Sequence, residues 1–215
     1  MTIITIDGPS GAGKSTIAKM LSKKLNYNYL DTGAMYRAIT FAMLKKSIDL
    51  QNEELICKAL DSIDLEFSDN IKLDGDIIDS QIRSNLVTKN VSLISSYKCV
   101  RDILVEYQRC FAKGNDTILD GRDTGSVVLP DADFKFYLTA SVEARAKRRY
   151  EEYKEEREDS YNDVLEDIKR RDDFDMNRDI SPLIIPNNSI LVDSTDMSID
   201  ETVEYIYNHI KRKDK

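Results

Sequence analysis

The sequence predicts an α/β fold, with a mostly parallel sheet covered by helices on both faces and a small antiparallel hairpin insert. Three observations lead there. Short runs rich in β-branched residues (2–6, 117–120, 189–192) alternate with segments of helical periodicity, the pattern of strands joined by crossover helices. The first run passes through a glycine-rich turn directly into a helix. Between residues 64 and 80 the pattern changes to strict alternation broken by the turn pairs Asp69-Asn70 and Asp74-Gly75, as in short hairpins.

In chain order, Thr2-Ile3-Ile4-Thr5-Ile6 ends in Asp7-Gly8 and reads as a buried strand entering a turn. Lys14 to Leu25 places Ile17, Met20, Leu21 and Leu25 on one side of a helix. A short strand is expected at 27–30, with helices at 33–46 and 53–63. Beyond the hairpins come two more helices, the clearer one carrying Val100, Ile103, Leu104, Tyr107 and Phe111. Strands follow at 117–120 and 134–139. Residues 141–176 are strongly charged and helical, and the chain closes with a strand at 189–192 and a helix carrying Ile199, Val203, Ile206 and Ile210. This organisation is expected to be a single domain, 1–215.

Composition excludes several classes of function. Of the 215 residues 41% are hydrophobic and 33% charged, as in an ordinary globular protein, and no apolar run approaches the length of a membrane span. A net charge of −8 argues against general binding to nucleic acid. A cleavable leader would remove the glycine-rich turn at residue 8, so a cytoplasmic protein acting on small molecules, without membrane or nucleic-acid partners and as a monomer, is expected. Cys57, Cys99 and Cys110 show no paired metal-ligand spacing and read as reduced thiols on or under helices. His209, the only histidine, lies in the last helix, which leaves no Ser-His or Cys-His nucleophile system.

The turn itself carries chemistry. Gly8-Pro9-Ser10-Gly11-Ala12-Gly13-Lys14-Ser15-Thr16 matches the phosphate-binding loop of P-loop proteins in its proper context, with a strand before and a helix after. Glycines let backbone N–H groups turn toward an anion, and the helix N-terminus adds positive partial charge. Lys14 supplies a cation to the β- and γ-phosphates of ATP and Ser15 a hydroxyl to Mg²⁺. A carboxylate closing a neighbouring strand holds the ion's water shell in such sites; Asp120 is the first candidate and Asp7 the second. A strand-terminal aspartate can equally be a turn cap.

The arginines narrow the class. No base-reading Asn-Lys-x-Asp run of the GTPase type is present, whereas Arg37, Arg101, Arg122, Arg171 and Arg178 fall at strand ends and on helices. Moving a phosphoryl group between two anions requires such cations, because an acceptor phosphate must be clamped and the transferring charge neutralised. An isolated helical arginine is ordinarily a solvated side chain, and Arg171 with Asp175 fits a helix-surface pair. A P-loop kinase for another small acceptor and a nucleotide-binding switch are the competing readings; intact Lys14 and Ser15 speak against the switch.

Asp31-Thr32-Gly33-Ala34-Met35-Tyr36-Arg37, Asp120-Gly121-Arg122-Asp123-Thr124-Gly125 and Arg171-Asp172-Asp173-x-Asp175-x-Asn177-Arg178, in this order behind the P-loop, resemble the bacterial cytidylate kinases over essentially the whole chain. The resemblance implies a three-layer P-loop kinase fold that transfers the γ-phosphoryl group of ATP to CMP or dCMP. It also implies a monophosphate-binding insert at about 33–96 and a short helical lid at about 145–160, where Arg145, Arg148, Arg149 and Arg157 lie. It assigns the CMP phosphate to Arg37, Arg122, Arg178 and the Thr32 hydroxyl, and the ribose to Arg171 and Asp175. Cytosine offers N3 and O2 as acceptors and a 4-amino donor, which suit Arg101 and Asp123; Ser92 matches a family serine near the base. Lys14, Arg122 and Arg178 are the expected catalytic residues, Ser15 and Asp120 the expected metal pair.

Overall fold

A computed structural model of the protein describes residues 1–67, 70–153 and 159–213. The chain forms two compact units, one of Met1–Leu30 with Phe111–Lys215, the other of Asp31–Cys110.

The first unit is built on a five-stranded sheet. Its strands are β1 (Ile3–Asp7), β2 (Asn28–Asp31), β6 (Thr117–Gly121), β7 (Phe134–Thr139) and β8 (Ile190–Asp193), in the order β2-β6-β1-β7-β8. β1 runs parallel to both β6 and β7, and β7 parallel to β8. β1 sits at the centre because its residues tolerate burial on both sides: Ile4, Thr5, Ile6 and Asp7 are all solvent-inaccessible. Ile4 and Ile6 join Ile118, Phe136, Leu138 and Val192 in one core, with Ile17 and Leu21 of α1 (Lys14–Leu25) and Val203, Ile206 and Ile210 of α8 (Ile199–Lys213) packed over it. Each such aliphatic side chain contributes about 1.5–3 kcal/mol on burial. These are the periodic positions that the sequence marks as helix faces, so the mostly parallel α/β fold is as expected.

The second unit holds α2 (Thr32–Lys45), α3 (Glu53–Leu60), the strands β3 (Leu65–Phe67), β4 (Ile71–Leu73) and β5 (Asp76–Ile77), α4 (Asn85–Ile94) and most of α5 (Lys98–Ala112). β3, β4 and β5 form an antiparallel sheet with Leu65 opposite Leu73 and Phe67 opposite Ile71. Leu73, Ile78 and Ile82 pack on the small-residue face of α2 made by Ala34, Ala38 and Ala42. The hairpin insert is therefore where the alternation places it.

Three local readings are corrected. α3 stops at Leu60 rather than 63, because Asp61–Ile63 turns away toward the hairpins. On α5 the buried line is Val100, Arg101, Leu104 and Gln108, whereas Ile103 and Tyr107 are exposed. The cysteines are not all free thiols: Cys57 of α3 and Cys99 of α5 form a disulfide, and Cys110 alone is a free, exposed thiol. That pairing comes from the packing of two helices across 42 residues of chain, a distance at which spacing carries no signal. The charged stretch becomes α6 (Val142–Tyr153) and α7 (Tyr161–Asn177), the latter opened by a capping box between Ser160 and Asp163. Residues 154–158, with Arg157 of the expected lid, lie outside the described residues. Among the described residues no helix is long and apolar enough to cross a membrane.

Candidate active site

Residues 8–13 leave the C-terminal end of β1 and enter α1 through two glycine-dependent positions. Gly8 has φ +150°, and a Cβ there would lie 2.0 Å from the Leu138 carbonyl oxygen of β7, so the loop leaves the sheet only with hydrogen at this position. Gly13 precedes α1 in the left-handed region at φ 85°, which turns the helix N-terminus toward the loop. Lys14, 6% exposed, donates from Nζ to the Pro9 carbonyl at 2.8 Å.

Asp172 and Arg145 brace the loop from outside. The Asp172 carboxylate accepts the Ser10 N–H at 2.8 Å and pairs with Arg145, which donates to the Ser10 carbonyl at 2.8 Å and the Ala140 carbonyl at 2.9 Å. In the sequence Arg145 stands out only as one of several lid arginines, and Asp172 carries no expected role. Its position within Arg171-Asp172-Asp173 was the available signal. Arg148 points elsewhere, donating to the Ser194 hydroxyl at 3.2 Å and to the carbonyls of Ser194 and Thr195.

Three residues at the end of β6 make three separate sets of contacts. Asp120 accepts the Ser15 hydroxyl at 2.8 Å through Oδ2 and the Tyr29 hydroxyl at 2.8 Å through Oδ1. The two residues expected to hold a metal are thus adjacent, and their oxygen donors fit a hard cation such as Mg²⁺. Arg122 donates from Nε to Asp175 Oδ2 at 2.9 Å, with Asp175 nearly inaccessible. Asp123 lies 3.6 Å from the Arg178 guanidinium, both side chains buried. Asp175 of α7 therefore faces Arg122 at the end of β6, which the helix-surface reading does not provide for. Arg171 is buried one turn away on α7.

Asp7, the second candidate for the metal, serves a different purpose. Its Oδ1 accepts the Thr124 N–H at 2.9 Å and hydroxyl at 2.7 Å, and Oδ2 accepts the Gly125 N–H at 2.7 Å. Register explains this, since Asp7 stands beside Gly121 and so faces the turn that follows β6. Burial outweighs those hydrogen bonds and raises its pKa. The carboxylate is a latch that fixes the turn carrying Arg122 and Asp123.

In the second unit, Asp31 caps α2 by accepting the Ala34 N–H at 2.8 Å, and Thr32 is buried at its start. Arg37 donates to the Thr88 hydroxyl at 2.9 Å and the Ile82 carbonyl at 3.3 Å. Arg101, 4% exposed, reaches the Ser95 carbonyl at 3.2 Å and lies 5.6 Å from the Tyr36 ring centre. Ser92, half-buried on α4, accepts from the Ser95 hydroxyl through its carbonyl. Arg37 and Arg101 are thus held by named partners, unlike solvated helical arginines.

Burial first and the Arg122 cation second lower the Lys14 pKa to about 7, with Asp120, Asp172 and Asp7 opposing this without cancelling it. An unfolded lysine retains its proton to about pH 10.4, so between pH 7 and that value the unfolded chain binds more protons and stability from this group rises with pH. A triphosphate against Lys14 restores the cation. Binding of ATP at pH 8 is accordingly expected to take up roughly one proton. Calorimetry in two buffers of different ionisation enthalpy measures it; a heat independent of buffer would put the amine at its ordinary pKa.

The sheet order and the strand–loop–helix with its lysine and serine define a P-loop kinase. Solved shikimate kinases share the fold: that of Bacteroides thetaiotaomicron superposes with TM-score 0.51 at 10% identity, covering 98% of both chains. That of Acinetobacter baumannii, in complex with shikimate, gives 0.50 at 14% identity, covering 99% of this chain and 94% of that one. Residues 4–212 match the family model for cytidylate kinase, and the chain belongs to that family. The cytidylate kinase of Caldanaerobacter subterraneus subsp. tengcongensis is 49% identical across 99% of this chain and 96% of its own. Those of Clostridioides difficile and Halalkalibacterium halodurans are 47% and 42% identical, each covering at least 97% of both chains. The expected family and enzyme class are borne out, and ATP is the phosphoryl donor that the family implies.

Proposed function

We propose that the enzyme transfers the γ-phosphoryl group of ATP in line to CMP or dCMP, with the residues of the β6 end serving both nucleotides. The observation that carries this reading is the division of labour at 120–123: Asp120 beside Ser15 of the P-loop, Arg122 on Asp175, Asp123 on Arg178. These contacts support a reading in which residues 120–123 serve donor and acceptor together.

The loop N–H groups of residues 8–16 and Lys14 bind the β- and γ-phosphates. Mg²⁺, held by Ser15 and through Asp120, supplies charge neutralisation at those phosphates when bound. Arg37, Arg122 and Arg178, with the Thr32 hydroxyl, orient the acceptor phosphate, whose oxygen attacks the γ-phosphorus as the bond to ADP breaks. That oxygen is already anionic near neutral pH, so the reaction needs no proton-abstracting base. Arg101 reads the acceptor edge of cytosine with Ser92 near it, Asp123 reads the 4-amino group, and Arg171 and Asp175 hold the ribose. Where they hold mainly the 3′-hydroxyl, dCMP is turned over alongside CMP. We assign the insert at about 33–96 to the acceptor nucleotide and the segment at about 145–160 to a lid, and place the enzyme in the cytoplasm as a monomer.

Coupled ADP release across CMP, dCMP, UMP and AMP tests the assignment. CMP and dCMP are expected to exceed UMP, and faster turnover of UMP would sink it. Asp123→Ala is expected to reduce the CMP-to-UMP ratio of kcat/KM by about 10-fold or more. An unchanged ratio would show that another group reads the 4-amino nitrogen.

A further inference from the structure

Glu53 and Cys57 stand one turn apart on α3, and Cys99 lies in the first turn of α5. The two sulfur atoms and a Glu53 carboxylate oxygen fall within 4.8 Å of one another, and the cysteine Cα atoms are 5.7 Å apart. Both cysteines are half-buried, while Glu53 is open to solvent. None of the three has a part in phosphoryl transfer as derived above.

Two sulfurs at this separation can close in two ways. The structure records the disulfide. Opened, the same pair becomes two thiolates with a carboxylate beside them, an S,S,O set. Zinc binds cysteine sulfur at about 2.3 Å and carboxylate oxygen at about 2.0–2.2 Å. Two sulfurs on one tetrahedral ion then stand about 3.8 Å apart, so once the bond is opened the sulfurs must swing apart between Cα atoms that are 5.7 Å apart. The i, i+4 spacing of Glu53 and Cys57 presents two ligands from one helix face, and the third comes from a second helix. Hard cations prefer oxygen donors, so two sulfurs select a softer ion.

We propose that, once the Cys57–Cys99 disulfide is reduced, Cys57, Cys99 and Glu53 form a three-ligand site for Zn²⁺ or a similarly soft divalent cation, with water completing the tetrahedron. Opening the disulfide takes two electrons: from a dithiol, which also gives the two protons and becomes a disulfide, or from a phosphine, which becomes its oxide while water supplies the oxygen and both protons. The ion then displaces the two thiol protons, and no further change of oxidation state occurs. Disulfide and metal are alternative clasps between α3 and α5, two residues before Arg101.

The test uses the full chain with Cys110→Ser, which removes the remaining thiol, reduced with a phosphine and desalted without air. Titration with Co²⁺ is expected to give one equivalent with thiolate-to-cobalt charge-transfer absorption, displaced by Zn²⁺, and Zn²⁺ should raise Tm. Cys57→Ser and Cys99→Ser should each abolish the absorption, and Glu53→Gln should weaken Zn²⁺ binding at least about 10-fold. Circular dichroism confirms that each variant is folded, and either cysteine variant alone suffices. Absence of the absorption in the reduced, folded protein overturns the site. So does Zn²⁺ affinity that is unchanged in Glu53→Gln, in a cysteine variant or in the oxidised protein.

Discussion

Replacing Lys14 by alanine is expected to lower kcat by about 10³-fold or more while the protein stays folded. Among the described residues the amine is tied to the Pro9 carbonyl, at 2.8 Å, and it is buried where its charge is poorly solvated. Triphosphate oxygens are a far better partner, and their negative charge grows toward the leaving ADP as the γ-phosphoryl group departs. An interaction that strengthens along the reaction appears in kcat, whereas one made equally with bound ATP appears in KM. The stability effect should have the opposite character. Below pH 7 the amine is protonated in both folded and unfolded states, so the fold carries its full desolvation penalty. Alanine removes that penalty along with one hydrogen bond, and Tm at pH 6 should stay within about 5 °C of the parent. Near-normal turnover would take Lys14 out of the chemistry. A collapse of Tm would show instead that the side chain mainly holds the loop.

What could be read from the sequence follows the range of the interactions. β1, the loop and α1 are contiguous, and both their pattern and their chemistry lie within residues 2–25, so α1 is legible to the residue and β1 to within one. Ser15 and Asp120 are 105 residues apart, yet the needs of a hard cation paired them before any geometry was known. Asp7 shows the limit. Chemistry alone offered it to the metal, but the β1–β6 register turns it toward Thr124 and Gly125, and register is set by the whole sheet. Asp172 was passed over for the same reason, since its partners Ser10 and Arg145 come from two other elements. The disulfide was misread because Cys57 and Cys99 meet only through the packing of α3 against α5. On α5 the apolar pattern predicted a stripe through Ile103 and Tyr107, while the buried face includes Arg101 and Gln108. A helix that buries polar groups for a ligand or a network breaks the pattern that periodicity detects.

Arg122→Ala is expected to lower kcat/KM for CMP by about 10³-fold and to destabilise the enzyme by about 3–5 kcal/mol. The two effects have separable causes. Nε of Arg122 accounts for one oxygen of Asp175, whose side chain is only 5% exposed, while the Arg122 side chain remains 21% exposed. Nε is thereby fixed on Asp175, while Nη1 holds the Gly121 carbonyl only at 3.4 Å, a contact that a phosphate oxygen can replace. Burial pulls the Arg122 pKa down, but Asp175, with Asp172 and Asp120 behind it, overcomes that and raises it, so the cation persists throughout the working range. Deleting it leaves Asp175 buried without its charge partner, which is where the stability is lost. Arg122→Ala with Asp175→Ala removes both charges and should recover part of the lost stability without recovering activity. Arg122→Lys keeps the charge and loses the fork, and is expected to cost roughly 10–100-fold in kcat/KM with a smaller loss of stability. Denaturant melts and steady-state kinetics on these variants separate the roles. Normal kinetics in Arg122→Lys would mean that charge alone suffices, and recovery of activity in the double variant would mean that Arg122 serves only to neutralise Asp175.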